Sequence, residues 1–265
     1  MLREPAVAGT FYEGDSSALR RKVTSLLQEK EQKIKARALI CPHAGYMYSG
    51  SVAGEVYGLA EIPDTVVILG PNHTGNGAPI SVMHEGIWRT PLGDVRINMA
   101  LAEKIIYASK FAEKDTKAHL REHSIEVQLP FLQVLKPGIQ IVPIVIGDGR
   151  NSALRDLSCS LAEALKGTDV LIISSTDLTH YESAGIAREK DMAVLDAIVK
   201  MNPEAMLETV ECREVSMCGW MPTYTALHAA KLLGAKEGRL IRYAHSGEIS
   251  GDLSEVVGYG GAVII

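Results

Sequence analysis

Hydrophobic residues along this chain fall into two alternating patterns. Short, nearly unbroken runs rich in Val and Ile occupy 38–41, 65–69, 140–146, 170–174, 239–244 and 262–265. Between them, apolar residues recur every three or four positions over 18–28, 52–59, 100–108, 124–135, 152–165, 186–200 and 223–232. Continuous runs suit strands buried on both faces, and the longer period suits helices with one buried stripe. Strands alternating with helices predict an α/β fold. The expectation is a single domain over 1–265, with a central, largely parallel or mixed sheet covered by helices on both faces. The final segment, EVVGYGGAVII, reads as a strand broken by glycines, at an edge or carrying a bulge. The most charged stretch, 28–35, reads as the exposed end of an early helix and its exit loop.

Composition narrows the class. With 265 residues, 46% of them hydrophobic, the chain can build a sizeable core. Its net charge of -5 argues against a nucleic-acid surface, which needs a basic face. The longest apolar runs, such as 139–146, fall far short of the roughly 20 residues of a membrane helix. The start, MLREPAVAG, has no apolar signal-peptide core. The expected protein is soluble and cytoplasmic, with no nucleic-acid or membrane partner. None of the four cysteines forms a C-x-x-C pair, so they read as free thiols, with Cys159 at a helix core position. GNGAP and GYGG lack phosphate-loop spacing and read as turns, so no nucleotide cofactor is expected.

Candidate chemistry lies where predicted strands end. The run at 38–41 leads into Pro42-His43, the run at 65–69 into Gly70-Pro71-Asn72-His73, and the run at 170–174 into Ser175-Thr176-Asp177-Leu178-Thr179-His180. If these strands are parallel neighbours, all three loops open on one sheet edge, where ligands of α/β proteins collect. A lone histidine there is more often structural. Three of eight histidines in matching places point to a site. His123, in EHSIE, is placed at a helix start, where the helix dipole favours a neutral ring. Cys218, in SMCGW, precedes another predicted helix, which would lower its thiol pKa, although locally it reads rather as a small residue buried beneath Trp220. His119 to His123 fits H-x-x-E-H, an inverted zinc-protease pattern, but its polar surroundings do not suggest the continuous helix that pattern needs.

REPAVAGTFY, PHAGYMYSG, LGPNH, EHSIEVQLPFL, SSTDLTHY and MCGW occur in this order over almost the whole chain. Together they resemble the Memo family, also called AmmeMemoRadiSam system protein B. The resemblance implies a fold like the catalytic subunit of class III extradiol dioxygenases, in which two histidines and a glutamate hold iron. It places the two histidine ligands on His43 and His73 and puts Cys218 in the place of the glutamate, which reverses the local reading of that residue. It places pocket residues on Asp177, His180 and His123. A thiolate is softer than a carboxylate and is oxidisable, so ring cleavage is not expected, while iron, copper or zinc binding is. The expected function is a metal-binding protein and possible metal-dependent oxidoreductase, with a small-molecule or peptide ligand in the pocket. His180 would move protons, Asp177 would orient or charge-balance it, and His123 would hydrogen-bond substrate. Tyr46 and Tyr48 are candidates for the pocket wall or the core. The rival is a binding module that holds an anionic peptide or metabolite without turnover. A cysteine hydrolase using Cys218 and His180 would need an oxyanion hole that the sequence does not display.

Overall fold

The continuous apolar runs form the middle of a mixed sheet in the computed structural model, which describes residues 1–28 and 30–265. Glu29, in the charged stretch, lies outside the described residues. The strands are β1 (Leu2–Arg3), β2 (Ala38–Cys41), β3 (Thr65–Pro71), β4 (Ile80–Val82), β5 (Ile87–Thr90), β6 (Gly93–Ile97), β7 (Glu113–Lys114), β8 (Gln140–Ile146), β9 (Val170–Ser175), β10 (His180–Glu182), β11 (Gly238–His245) and β12 (Val256–Ile264). The helices are α1 (Ser16–Leu26), α2 (Tyr46–Leu59), α3 (Met99–Ala108), α4 (Leu129–Leu135), α5 (Asn151–Leu165), α6 (Ala184–Val199), α7 (Pro203–Cys212), α8 (Trp220–Leu232) and α9 (Gly247–Ser250).

The order across the centre is β6-β8-β3-β9-β2-β12, parallel from β6 to β2. β12 joins antiparallel to β2 and carries β11 on its other side. Every residue of β2 and β3 is buried, because helices cover both faces. This is the expected single-domain α/β architecture. Among the described residues, no helix is long and apolar enough to cross a membrane.

Several elements differ from the sequence reading. β12 is not an edge but an interior strand, and the irregularity lies in its partner β11, between Leu240 and Arg242. Its glycines are points of close approach. A Cβ on Gly260 would meet Leu195 of α6, and one on Gly261 would meet Val52 and Val56 of α2. The two helices thus pack on opposite faces with no side chain between backbone and helix. α2 starts at Tyr46, six positions before the periodic segment 52–59. The segment 124–135 is not one helix: a 3-10 turn, Glu126–Gln128, precedes α4. Cys159 is exposed on α5 rather than at a core position. The short strands β1, β4 to β7 and β10, and the helices α7 and α9, carried too few periodic residues to be predicted.

The N-terminal REPAVAGTFY is held from within. Arg3, fully buried, pairs with Glu126, lies 4.3 Å over the Trp88 ring, and donates to the carbonyls of His119 and Glu122. Glu126 also accepts from the backbone of Ala6 and Val7 and from the Tyr12 hydroxyl. A buried charge needs this density of partners to be tolerated. The arm then runs to Phe11, whose carbonyl accepts the Tyr46 N–H and so fixes the start of α2.

Candidate functional site

β3, β9 and β2 are parallel neighbours, so their carboxyl ends deliver His73, Asp177 and His43 to one edge. The rings of His43 and His73 lie 5.2 Å apart between centroids, and His123 stacks on His73 at 4.7 Å. One donor atom each of His43, His73 and Cys218 lies within 4.8 Å of the other two. His43 Nε2 is 3.2 Å from the Cys218 sulfur.

Cys218 belongs to no strand, and the loop after β9 places it. The Asp177 N–H points at Cys218 Sγ at 3.3 Å, the Gly219 N–H donates to Thr176 Oγ1, and the His180 N–H donates to Ser216 Oγ. Gly219 makes the approach possible: a Cβ there would lie 2.4 Å from Thr176 Cβ and 2.5 Å from the Ser175 carbonyl oxygen. The SMCGW and SSTDLTH segments are therefore two halves of one structure.

Charge in the site follows from burial and partners. Burial, with the neighbouring His73, His123 and His180, holds His43 well below the ordinary histidine value. Burial also opposes charge on His73, but its hydrogen bond to Glu122 and that carboxylate's charge raise its pKa overall. Glu122 is fully buried. Burial alone would raise it, yet the His73 contact and the Ser124 N–H bring it down to about 2. Burial raises Asp177 to about 6 against the pull of the His43 N–H and His180. Burial and the Asp177 charge push the Cys218 thiol up. That corrects the expectation of a lowered thiol at a helix start, since loss of water outweighs the helix dipole here. His123 is lowered by burial and by His73. It lies in the loop before the 3-10 turn, not in a helix.

Asp177 does not orient the His180 ring. Its Oδ1 accepts the His43 backbone N–H at 2.8 Å, while His180 Nδ1 faces the Ser216 carbonyl at 2.9 Å. Asp177 and four histidines, His43, His73, His123 and His180, line a cavity of about 430 Å³. Its outer wall includes Phe11, Met47, Tyr48, Tyr181 and Tyr259. Tyr48 thus faces the pocket, whereas Tyr46 is a core residue whose hydroxyl donates to the Val127 carbonyl. His119 joins neither the cavity nor a helix through His123. A 3-10 turn, Lys117–His119, ends at it, and its Nε2 lies 2.9 Å from Ser81 Oγ. The zinc-protease pattern therefore has no structural counterpart.

The sequence reading missed Glu122, Ser175 and Gln128, which sit directly behind the two histidines. Glu122 accepts both the backbone and ring N–H of His73, and Ser175 Oγ lies 3.0 Å from His43 Nδ1. Gln128 donates to Ser175. A partial signal was present: Ser124, Glu126 and Gln128 alternate with Ile125, Val127 and Leu129, and these three polar residues, like Glu122, are fully buried.

A Memo-like protein family model matches residues 3–263. A MEMO1 family protein of Aquifex aeolicus is 44% identical over 266 residues, covering 100% of this chain and 99% of that protein. A MEMO1 family protein of Methanothermobacter thermautotrophicus is 40% identical over 273 residues, covering 98% and 99%. An uncharacterized protein of Escherichia coli K12, JW3007, shares the fold at 14% identity with a TM-score of 0.52, over 85% of this chain and 99% of that one.

Proposed function

The chain belongs to the Memo family, and on that premise we propose that it is a cytoplasmic metal-binding protein with a non-haem dioxygenase-like pocket, acting as an iron- or copper-dependent oxidoreductase. Zinc suits the same donors without redox chemistry. The observation that carries the reading is the convergence of His43, His73 and Cys218 within 4.8 Å, each from a different loop. Two imidazoles and one thiol form a borderline-to-soft set that fits these ions and not magnesium or calcium. Asp177 and Glu122 add negative charge nearby, which offsets the charge of a cation.

A bound ion would supply Lewis acidity and electron transfer. The chain's own residues would supply the rest. Metal binding requires the Cys218 proton to leave, which makes affinity pH-dependent. His180 donates its Nδ1–H to the Ser216 carbonyl, because a carbonyl only accepts. Its Nε2 is then free to take a proton from a ligand in the cavity. His123, held neutral, offers a hydrogen bond to the same ligand. A cavity of about 430 Å³ suits a small molecule.

Metal analysis of anaerobically purified protein tests this directly. About one iron or copper per chain is expected in the wild type and in Cys159→Ser, with little in His43→Ala or Cys218→Ser. Equal metal in Cys159→Ser and Cys218→Ser would remove the ligand set. The aromatic outer wall supports a second reading, a binding module for a small anionic molecule or peptide. Unaltered ligand, held equally well by chelated and metal-loaded protein, would favour it.

A further inference from the structure

We propose that Ser175 and Glu122 act as positioning residues that lock the neutral rings of His43 and His73 as Nδ1–H tautomers, so that Nε2 is the nitrogen each ring offers to a metal. The metal arm of the test rests on the ligand reading above; the tautomers do not.

The argument is a count of protons. A serine hydroxyl has one proton to give and two lone pairs to accept with. Ser175 Oγ is 2.6 Å from the Ser124 carbonyl oxygen, which only accepts, so the hydroxyl proton is spent there. Gln128 Nε2 approaches the same Oγ at 2.8 Å and also donates to the Pro42 carbonyl at 3.0 Å. That second contact fixes the amide orientation, because Pro42 O requires the NH₂ end; the Tyr57 hydroxyl meets the oxygen end at 2.8 Å. One lone pair of Ser175 is thus filled by Gln128. The remaining contact, His43 Nδ1 at 3.0 Å, must donate. A neutral imidazole with its proton on Nδ1 carries a bare Nε2. That atom is the one 3.2 Å from Cys218 Sγ, nearer to it than the Asp177 carbonyl oxygen at 3.6 Å, the other acceptor for the thiol proton.

For His73 the acceptor is a carboxylate. Glu122 Oε1 takes the Nδ1–H at 2.9 Å and the Ser124 N–H at 2.9 Å, while Oε2 takes the His73 backbone N–H at 2.7 Å. Glu122, Ser175 and Gln128 are fully buried, so water does not compete for these bonds. Glu122 thus supports His73 through both its ring and its backbone, with three N–H groups on its two oxygens.

Long-range proton–nitrogen correlation spectra of the ¹⁵N-labelled, chelated full chain, taken at alkaline pH where both rings are neutral, read each ring nitrogen. In the wild type, His43 and His73 should each show a protonated Nδ1 and a pyridine-type Nε2. In Ser175→Ala, His43 should shift toward the other tautomer while His73 stays unchanged, and Fe(II) affinity should fall about 10- to 100-fold. Ser174→Ala is the control. It loses an equally buried bond, Ser174 to Thr223 at 3.0 Å, in the same strand, yet both tautomers and the affinity should hold. A protonated Nε2 on His43 in the wild type overturns the proposal, as does a His43 spectrum unchanged in Ser175→Ala. The wild-type spectrum decides alone should the variant fail to fold. Tautomers as assigned, with Fe(II) affinity indifferent to both His43→Ala and Ser175→Ala, uphold the lock and remove the metal reading instead.

Discussion

Single residues in this protein differ in what their burial does. His119 and His43 are both buried, but His119 holds structure outside the cavity. Its Nε2 meets Ser81, its ring lies edge-on to Trp88, and burial lowers its pKa to about 4 against the pull of Asp115. The unfolded chain binds a proton at the ordinary value near 6.5 and the folded chain does not. Stability is therefore full above about pH 6.5 and falls as pH drops toward 4. The loss from this group is up to about 3 kcal/mol. Urea unfolding in chelator from pH 4 to 7 should show that slope, and His119→Gln should flatten its share of it; identical slopes would place the proton uptake elsewhere. At the cavity, His180→Ala should keep the metal and lose most turnover in any oxygen-dependent assay the wild type supports. A positioned base contributes about 10²–10⁴-fold, whereas metal affinity resides in the ligands. Loss of metal in this variant would make His180 a ligand instead.

At the scale of elements, the parallel run β3-β9-β2 converts three sequence-distant loops into one edge. α8 completes the site only because Gly219 allows its first turn to touch the end of β9. Gly219→Ala should force the backbone near Thr176 to shift, at a cost of about 1–3 kcal/mol. Because Cys218 is the adjacent residue, metal affinity should fall more than this stability loss suggests. Comparison of denaturation with metal titration checks it, and a destabilised variant with full metal affinity would show that Cys218 does not depend on this contact. The existence of the central strands was legible because continuous Val/Ile runs have few alternatives, whereas their order came from the structure. The roles of Glu122 and Gln128 were not legible, because 124–135 reads as one amphipathic helix and nothing local marks which buried groups those two side chains meet. Glu122, Glu126 and Gln128 are in fact buried against His73, Arg3 and Ser175, which are remote in sequence.

Across the whole molecule, the N-terminal arm ties the beginning of the chain to the back of the cavity. Arg3 contacts the carbonyl of Glu122, the residue that carries His73, and pairs with Glu126, which holds the arm in turn. Removing one member of a fully buried pair strands the other. Arg3→Met should therefore cost about 3–5 kcal/mol, and the double change Arg3→Met/Glu126→Gln should recover part of it. Denaturant midpoints of the two variants decide. A single variant as stable as the wild type would mean that the arm does not brace the fold.

The sequence by itself determined the α/β class, the strands that form the centre of the sheet, and the placing of His43, His73 and Asp177 just beyond strand ends. Those features follow from local periodicity and from the few residues between a strand and its exit loop. Motif order was enough to single out Cys218. Only the tertiary structure decided that β12 is interior, that burial pushes the Cys218 thiol pKa up rather than down, and that Asp177 faces His43 instead of orienting His180. Only it showed which groups stand behind the metal-site candidates. Burial and hydrogen-bond partnership depend on residues that are far apart in the chain, as Glu122 is from His73 and Ser175 from His43, and no local pattern encodes which of them will meet.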